Sequence, residues 1–154
     1  MAWVFRFPRP AFGNVAATAC YSQRVDALRQ ALAEDPRVDY ALLFGSSARG
    51  SAHAGSDLDI AVGLNIPTRI DVLELGDLVS RLEHAAGRSI DLLVLDEAPP
   101  AIAYRVFRDG RVIVEKDHRA LVERKTRAIL EYLDFRPLEE IAARGVLTAA
   151  AHGR

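Results

Sequence analysis

From Asp57 to Gly63 the chain alternates, with Leu58, Ile60 and Val62 on one register and Asp57, Asp59 and Ala61 on the other. A period of two is that of a β-strand with one face buried, so this segment reads as a strand whose two carboxylates project from the same face, their Cα atoms ~6.5–7 Å apart. Upstream, Val38 to Phe44 is a short apolar run with β-branched and aromatic members, closed by Gly45. It reads as a second, buried strand. Two like charges placed side by side on an otherwise apolar strand need a compensating cation.

The rest of the chain supplies what packs on these strands. Ser22 is placed to cap a helix through Val25, Leu28 and Leu32, ending before Asp35-Pro36. Thr68 and Asp71 resemble a capping box ahead of a stripe of Ile70, Leu75, Leu78, Leu82 and Ala86, which stops at Gly87. Ile90 to Leu95 is a third strand, Pro99-Pro100 opens a short helix through Tyr104 and Phe107, and Val112 to Val114 is a fourth strand. Leu121, Val122, Leu130 and Leu133 suit a packed helix over Asp117 to Leu133, followed by another around Leu138 to Ala143. Strands interleaved with helices place the chain in the α/β (α+β) class, with a small mixed sheet of about four strands and C-terminal helices. With 154 residues, half of them apolar, one domain over 22–148 is expected, after a loose arm over 1–21 and before a tail over 149–154.

Charge narrows the function classes. A formal net charge of −1 gives no whole-chain field for nucleic acid or an anionic membrane, so any phosphate binding is local. Cys20 is the single cysteine, which excludes an internal disulfide and fits a reducing compartment. Arg6, Pro8, Arg9 and Pro10 interrupt the apolar N-terminus that a secretory signal would need, and no run approaches the ~20 residues of a membrane span. A cytoplasmic protein is expected.

Asp57 and Asp59 offer hard oxygen ligands suited to Mg²⁺ or Mn²⁺, and Mg²⁺ commonly takes one or two carboxylates with substrate phosphates completing its shell. Asp91 opens the next strand, ~4.8 Å away if the two are neighbours. Three carboxylates could hold two ions, which stabilise the attacking and leaving oxygens of a displacement at phosphorus. Gly45-Ser46-Ser47-Ala48-Arg49-Gly50 follows the first strand; glycine permits close backbone approach, and a helix starting at either serine would aim free N–H groups at a triphosphate. Arg49 could contact phosphate or hold the loop by pairing with an acid. Ser56 reads mainly as a local backbone partner, His53 as a loop residue, His84 as a helix-end cation, and Asp96 and Glu97 as the end of the third strand. Arg119, Arg124, Lys125 and Arg127 read as a solvated helix face first, and as a surface for an acidic partner or the nucleotide phosphates second.

The string GSSARGSAHAGSDLDIAV, with Gly45-Ser46 ten residues ahead of Asp57-x-Asp59 and Asp91 in IDLLVLD, resembles the signature of the DNA polymerase beta-like nucleotidyltransferases. More narrowly it is similar to minimal nucleotidyltransferases of the MntA type, antitoxin partners of HEPN-domain toxins. The similarity runs from about Val38 through Leu95. It implies the nucleotidyltransferase fold, Asp57, Asp59 and Asp91 on Mg²⁺, Gly45 and Ser46 on the β and γ phosphates of ATP, and transfer of AMP to a tyrosine of a HEPN toxin. It assigns no base-binding residue beyond Pro99. Two other readings stand beside it: a small-molecule acceptor such as an aminoglycoside, and an antitoxin that works by masking its partner.

Overall fold

The computed structural model describes the backbone of residues 15–45, 57–65 and 70–152, and side chains over 21–45, 57–65 and 70–137. Ser46, Arg49, His53, Ser56, Thr68 and residues 1–14 lie outside these. The elements are α1 (Val15–Glu34), β1 (Val38–Leu43), β2 (Leu58–Leu64), α2 (Val72–Ala86), β3 (Ile90–Val94), α3 (Pro100–Asp109), β4 (Arg111–Glu115) and α4 (His118–His152). The strands form one sheet in the order β3-β2-β1-β4. β1 is antiparallel to both β2 and β4, whereas β2 and β3, joined through α2, run parallel. The sheet is therefore mixed and the fold α+β.

Each face of the sheet has its own core. Leu58, Ile60 and Val62 of β2 pack with Leu43 of β1, Ile90 of β3, Val25, Leu28 and Leu32 of α1, and Leu78, Leu82 and Ala86 of α2. On the other face Tyr40, Leu42 and Ala61 meet Ala103, Val106 and Phe107 of α3 and Leu121 and Ala128 of α4. The alternation seen in the sequence is thus an alternation between two cores, with the acids on the α3/α4 side.

Several boundaries differ from the sequence reading. α1 begins at Val15, well before Ser22, which is exposed in mid-helix; Ala16, Ala17 and Ala19 are strong helix formers and nothing between them and Ser22 breaks the turn. Asp71 is itself the cap of α2: its carboxylate accepts from Leu73 N–H at 2.9 Å, and Glu74 returns to the Asp71 N–H at 3.2 Å. Gly87 closes that helix at φ 63°, in the left-handed region glycine favours. α4 is one helix of 35 residues containing Pro137 and reaching His152, where two helices and a tail were expected. Proline removes one backbone donor, and here the helix runs through that gap.

The stripe expected to pack α4 is largely outside. Leu121 is buried, but Val122, Leu130 and Leu133 are 44, 58 and 54% exposed, with Ile129 beside them at 36%. The buried side of α4 instead uses Leu121, Arg124 and Ala128. This helix is apolar on two opposite sides, and the protein's own core uses one.

Asp35 holds the end of the sheet where β1 begins. Its side chain is fully buried and accepts from Arg37 N–H (2.9 Å), Arg37 Nε (3.1 Å) and Nη2 (2.8 Å), and Arg81 Nη2. Burial by itself pushes this carboxyl up, but the Arg37 side-chain and backbone bonds and the Arg81 bond outweigh it and hold it well below the usual carboxylate range. Lys116 Nζ donates to the Asp35 carbonyl at 2.6 Å, so α1, β1, α2 and the start of α4 are tied at one point.

Candidate active site

The acids and the glycine turn meet at one end of the sheet. In the parallel pair β2/β3, Leu58 lies opposite Ile90 and Asp59 opposite Asp91. Leu58 and Ile90 both enter the α1/α2 core, so Asp59 and Asp91 share the other face, on strands ~4.8 Å apart. Asp57 is exposed and two residues before Asp59, immediately ahead of β2. Asp59 is half-buried and Asp91 exposed. Like charges directly opposite on neighbouring strands repel, so the pairing is best satisfied with a cation between them.

Gly45 follows β1 at the same end. Phe44 N–H donates to the Asp59 carbonyl at 3.0 Å, which locks the end of β1 to the acidic strand. At Gly45 the backbone has φ +65°, and a Cβ placed there would stand 2.6 Å from Cγ of Asp59 and overlap its Oδ2. The Asp59 carboxylate therefore lies over the bare Cα of Gly45. Glycine is needed on both counts, conformation and space.

The donor chemistry fits Mg²⁺: hard carboxylate oxygens, two of them in register on adjacent strands and a third two residues away, beside a glycine whose missing side chain makes room for the Asp59 carboxylate. Among the described residues no group of three or more His, Cys, Asp or Glu side chains gathers closely enough to hold a metal ion by itself.

Other sequence candidates fall elsewhere. Arg124 is not on a solvated face: its side chain is 6% exposed, with Nη2 donating to the Leu95 carbonyl at 2.6 Å, Nη1 to Glu131 at 3.3 Å, and Nε 3.3 Å from Asp96. It clamps α4 to the end of β3, a role that its place in a basic run concealed. Arg119 pairs with Glu123 at 2.7 Å and is exposed, as are Lys125 and Arg127. A shallow cleft beside Tyr40, Asp96, Arg124 and Arg127 opens at the opposite end of the sheet, about six residues or ~20 Å along β2 from the acids. Burial is the main reason the Tyr40 hydroxyl in that cleft is pushed up. Gly110, unflagged by the sequence, closes α3 against β1: a Cβ there would overlap the Val106 carbonyl, and the Leu43 carbonyl, two residues before Gly45, lies at contact distance.

A family model for polymerase beta nucleotidyltransferases matches residues 26–119, more than half of the chain and every element of the sheet. The chain belongs to this nucleotidyltransferase family. Its fold is shared with solved structures of low sequence identity. A chain of a toxin–antitoxin complex crystallised with AMP-PNP is 22% identical at TM-score 0.66, covering 82% of this chain and 98% of that one. A chain of the MntA-HepT toxin-antitoxin is 19% identical at 0.61, covering 84 and 97%. A chain from the tri-AMPylated Shewanella oneidensis HEPN toxin in complex with MNT antitoxin is 19% identical at 0.62, with the same coverages. No curated protein matches the sequence. Among the described residues no helix of this nucleotidyltransferase is long and apolar enough to cross a membrane.

Proposed function

We propose that this nucleotidyltransferase moves AMP from ATP, with Mg²⁺, onto a hydroxyl of a HEPN-type toxin, most readily a tyrosine, and thereby acts as that toxin's antitoxin. The observation that carries the reading is the convergence of Gly45, Asp59 and Asp91 at one sheet end, within a chain of the nucleotidyltransferase family. The structural relatives in toxin–antitoxin complexes, one with AMP-PNP and one with an AMPylated toxin, support the donor and the acceptor.

Asp57, Asp59 and Asp91 would hold the ions. Bound Mg²⁺ supplies neutralisation of the charge that spreads over the transferring phosphoryl group. The Gly45 backbone and the Ser46 hydroxyl after it would meet the β and γ phosphates. Asp91, exposed on the outer strand β3, would orient the acceptor hydroxyl and take its proton. Positioning and electrostatics provide most of the rate, as in phosphoryl transfer generally.

A protein acceptor is favoured over a small molecule by α4, whose outward side carries Val122, Ile129, Leu130 and Leu133; apolar patches of this kind mark protein contacts. The same surface would serve an antitoxin that only masks its toxin. Toxin activity separates the two readings. If Asp57→Ala protein at stoichiometric dose leaves the toxin active while wild type with ATP silences it, modification is the mechanism; equal silencing by both would establish masking.

A further inference from the structure

At the end of the sheet away from the acids, where β1 begins, β2 ends and α4 sets out, a cleft of about 170 Å³ opens. Its floor is Tyr40, which pairs with Gly63 across β1 and β2. A Cβ on Gly63 would overlap the tyrosine ring and stand 2.5 Å from its hydroxyl oxygen. The strand glycine thus lets the ring lie across the sheet, as strand glycines do where another group approaches closely. Leu64 and Ala120 give the cleft apolar walls. Its volume falls below the ~300–1,000 Å³ of sites for drug-sized ligands, so a nucleotide is too large and a molecule the size of one amino acid fits.

The polar groups around this cleft are only partly satisfied. Glu123 is held by Arg119 at 2.7 Å, and Arg124 by the Leu95 carbonyl and Glu131. What remains is of both signs. Among the described residues the half-buried Asp39 carboxylate and the Arg127 guanidinium have no hydrogen bond or ion pair, although both line the cleft. The hydroxyl of Tyr40, a residue 2% exposed, has no hydrogen-bond partner among them either. Nor has Arg124 Nε, on a side chain 6% exposed: Asp96 Oδ1 stands 3.3 Å away in an ion pair that is not a hydrogen bond. Native proteins leave few buried polar groups unmet. Here an unmet acid, an unmet base and two unmet donors surround one small apolar-walled space.

We propose that this cleft binds a free α-amino acid with a small apolar side chain. The ligand's ammonium meets Asp39, with Asp96 beside it. Its carboxylate meets Arg127 and the Tyr40 hydroxyl, guanidinium and carboxylate being matched for paired, charge-assisted hydrogen bonds. Its side chain lies on Leu64 and Ala120. A ligand of one sign would leave the opposite group unmet, whereas a zwitterion answers both. The site shares no residue with Gly45, Asp57, Asp59 and Asp91 and lies ~20 Å from them along β2, so it stands whether or not the transferase reading does.

Calorimetric titration of L-alanine, L-valine and L-leucine into the full chain, with the N-acetyl derivative and the methyl ester of each as controls, tests this. At least one of the three should bind saturably, one molecule per chain, and blocking either of its ends should weaken it at least tenfold. Asp39→Asn and Arg127→Gln, which remove no described hydrogen bond or ion pair, should fold with melting temperatures within a few degrees of wild type and each bind the free amino acid at least tenfold more weakly. The derivatives assign the two ends: Arg127→Gln should no longer distinguish the amino acid from its methyl ester, and Asp39→Asn should no longer distinguish it from the N-acetyl form. A general disturbance of the fold would not sort the derivatives in this way. Absence of saturable binding by all three amino acids, or binding that both variants retain at wild-type affinity, overturns the proposal.

Discussion

The Asp59 carboxylate occupies the space where a side chain on Gly45 would begin: a Cβ there would stand 2.6 Å from its Cγ, at a backbone φ of +65°. β1 and β2 can close on each other only because residue 45 is glycine. Gly45→Ala should therefore displace Asp59 or the turn, and a shift of about 1 Å at a reacting centre can cost ~10²-fold in rate. The left-handed backbone adds about 1–2 kcal/mol of strain. AMP transfer should fall ~10²-fold or more, with a few degrees' loss in melting temperature by circular dichroism.

Asp59 and Asp91 stand opposite each other on parallel strands, so their like charges repel and a shared cation would relieve that repulsion. In EDTA, Asp59→Asn should melt at or above the wild-type temperature while losing transfer activity. Added Mg²⁺ should raise the melting temperature of wild type, as any ligand of the native state does, and leave the variant unmoved. Differential scanning calorimetry with and without the metal reads both effects.

Stability at low pH should be controlled at the other end of the sheet. The buried Asp35 carboxylate stays charged in the folded chain well below the usual range, whereas in the unfolded chain it titrates near ~3.9. Below that value the unfolded state takes up a proton that the native state refuses. The contribution is thus complete above pH ~4 and is lost as pH falls further. Asp35→Asn, which leaves Arg37 and Arg81 without their shared anion, should cost about 3–5 kcal/mol at neutral pH and flatten the acid limb. Urea titrations between pH 3 and 7 measure it.

On α4, Leu130 and Leu133 are more than half exposed. Replacing both with Asp should leave the melting temperature within a few degrees, since neither supports the monomer's core. It should abolish co-purification with the toxin partner, and transfer to that toxin should fall with it.

The succession of strands and helices was legible because alternation and glycine placement are local signals. Asp57, Asp59 and Asp91 stand out that way as candidates, and the parallel pairing sets Asp59 opposite Asp91. Local pattern could not say which face of an amphipathic helix meets the core. Leu130 and Leu133 therefore read as packing residues, although the helix turns them outward, and Arg124 read as solvated although it is buried against Leu95 and Asp96. The buried Asp35 was hidden for the same reason: beside Pro36 it looks like a helix stop, and only the folded chain brings Arg81 to it.

The most direct measurement uses ATP labelled at the α-phosphate, Mg²⁺, and a purified HEPN-type toxin as acceptor. Wild type should place the label on a tyrosine of that protein, located by mass spectrometry as added AMP, and Asp59→Asn should leave it unlabelled. Equal labelling by the variant, or toxin silencing by wild type with no AMP added, would contradict the transfer chemistry assigned to this site.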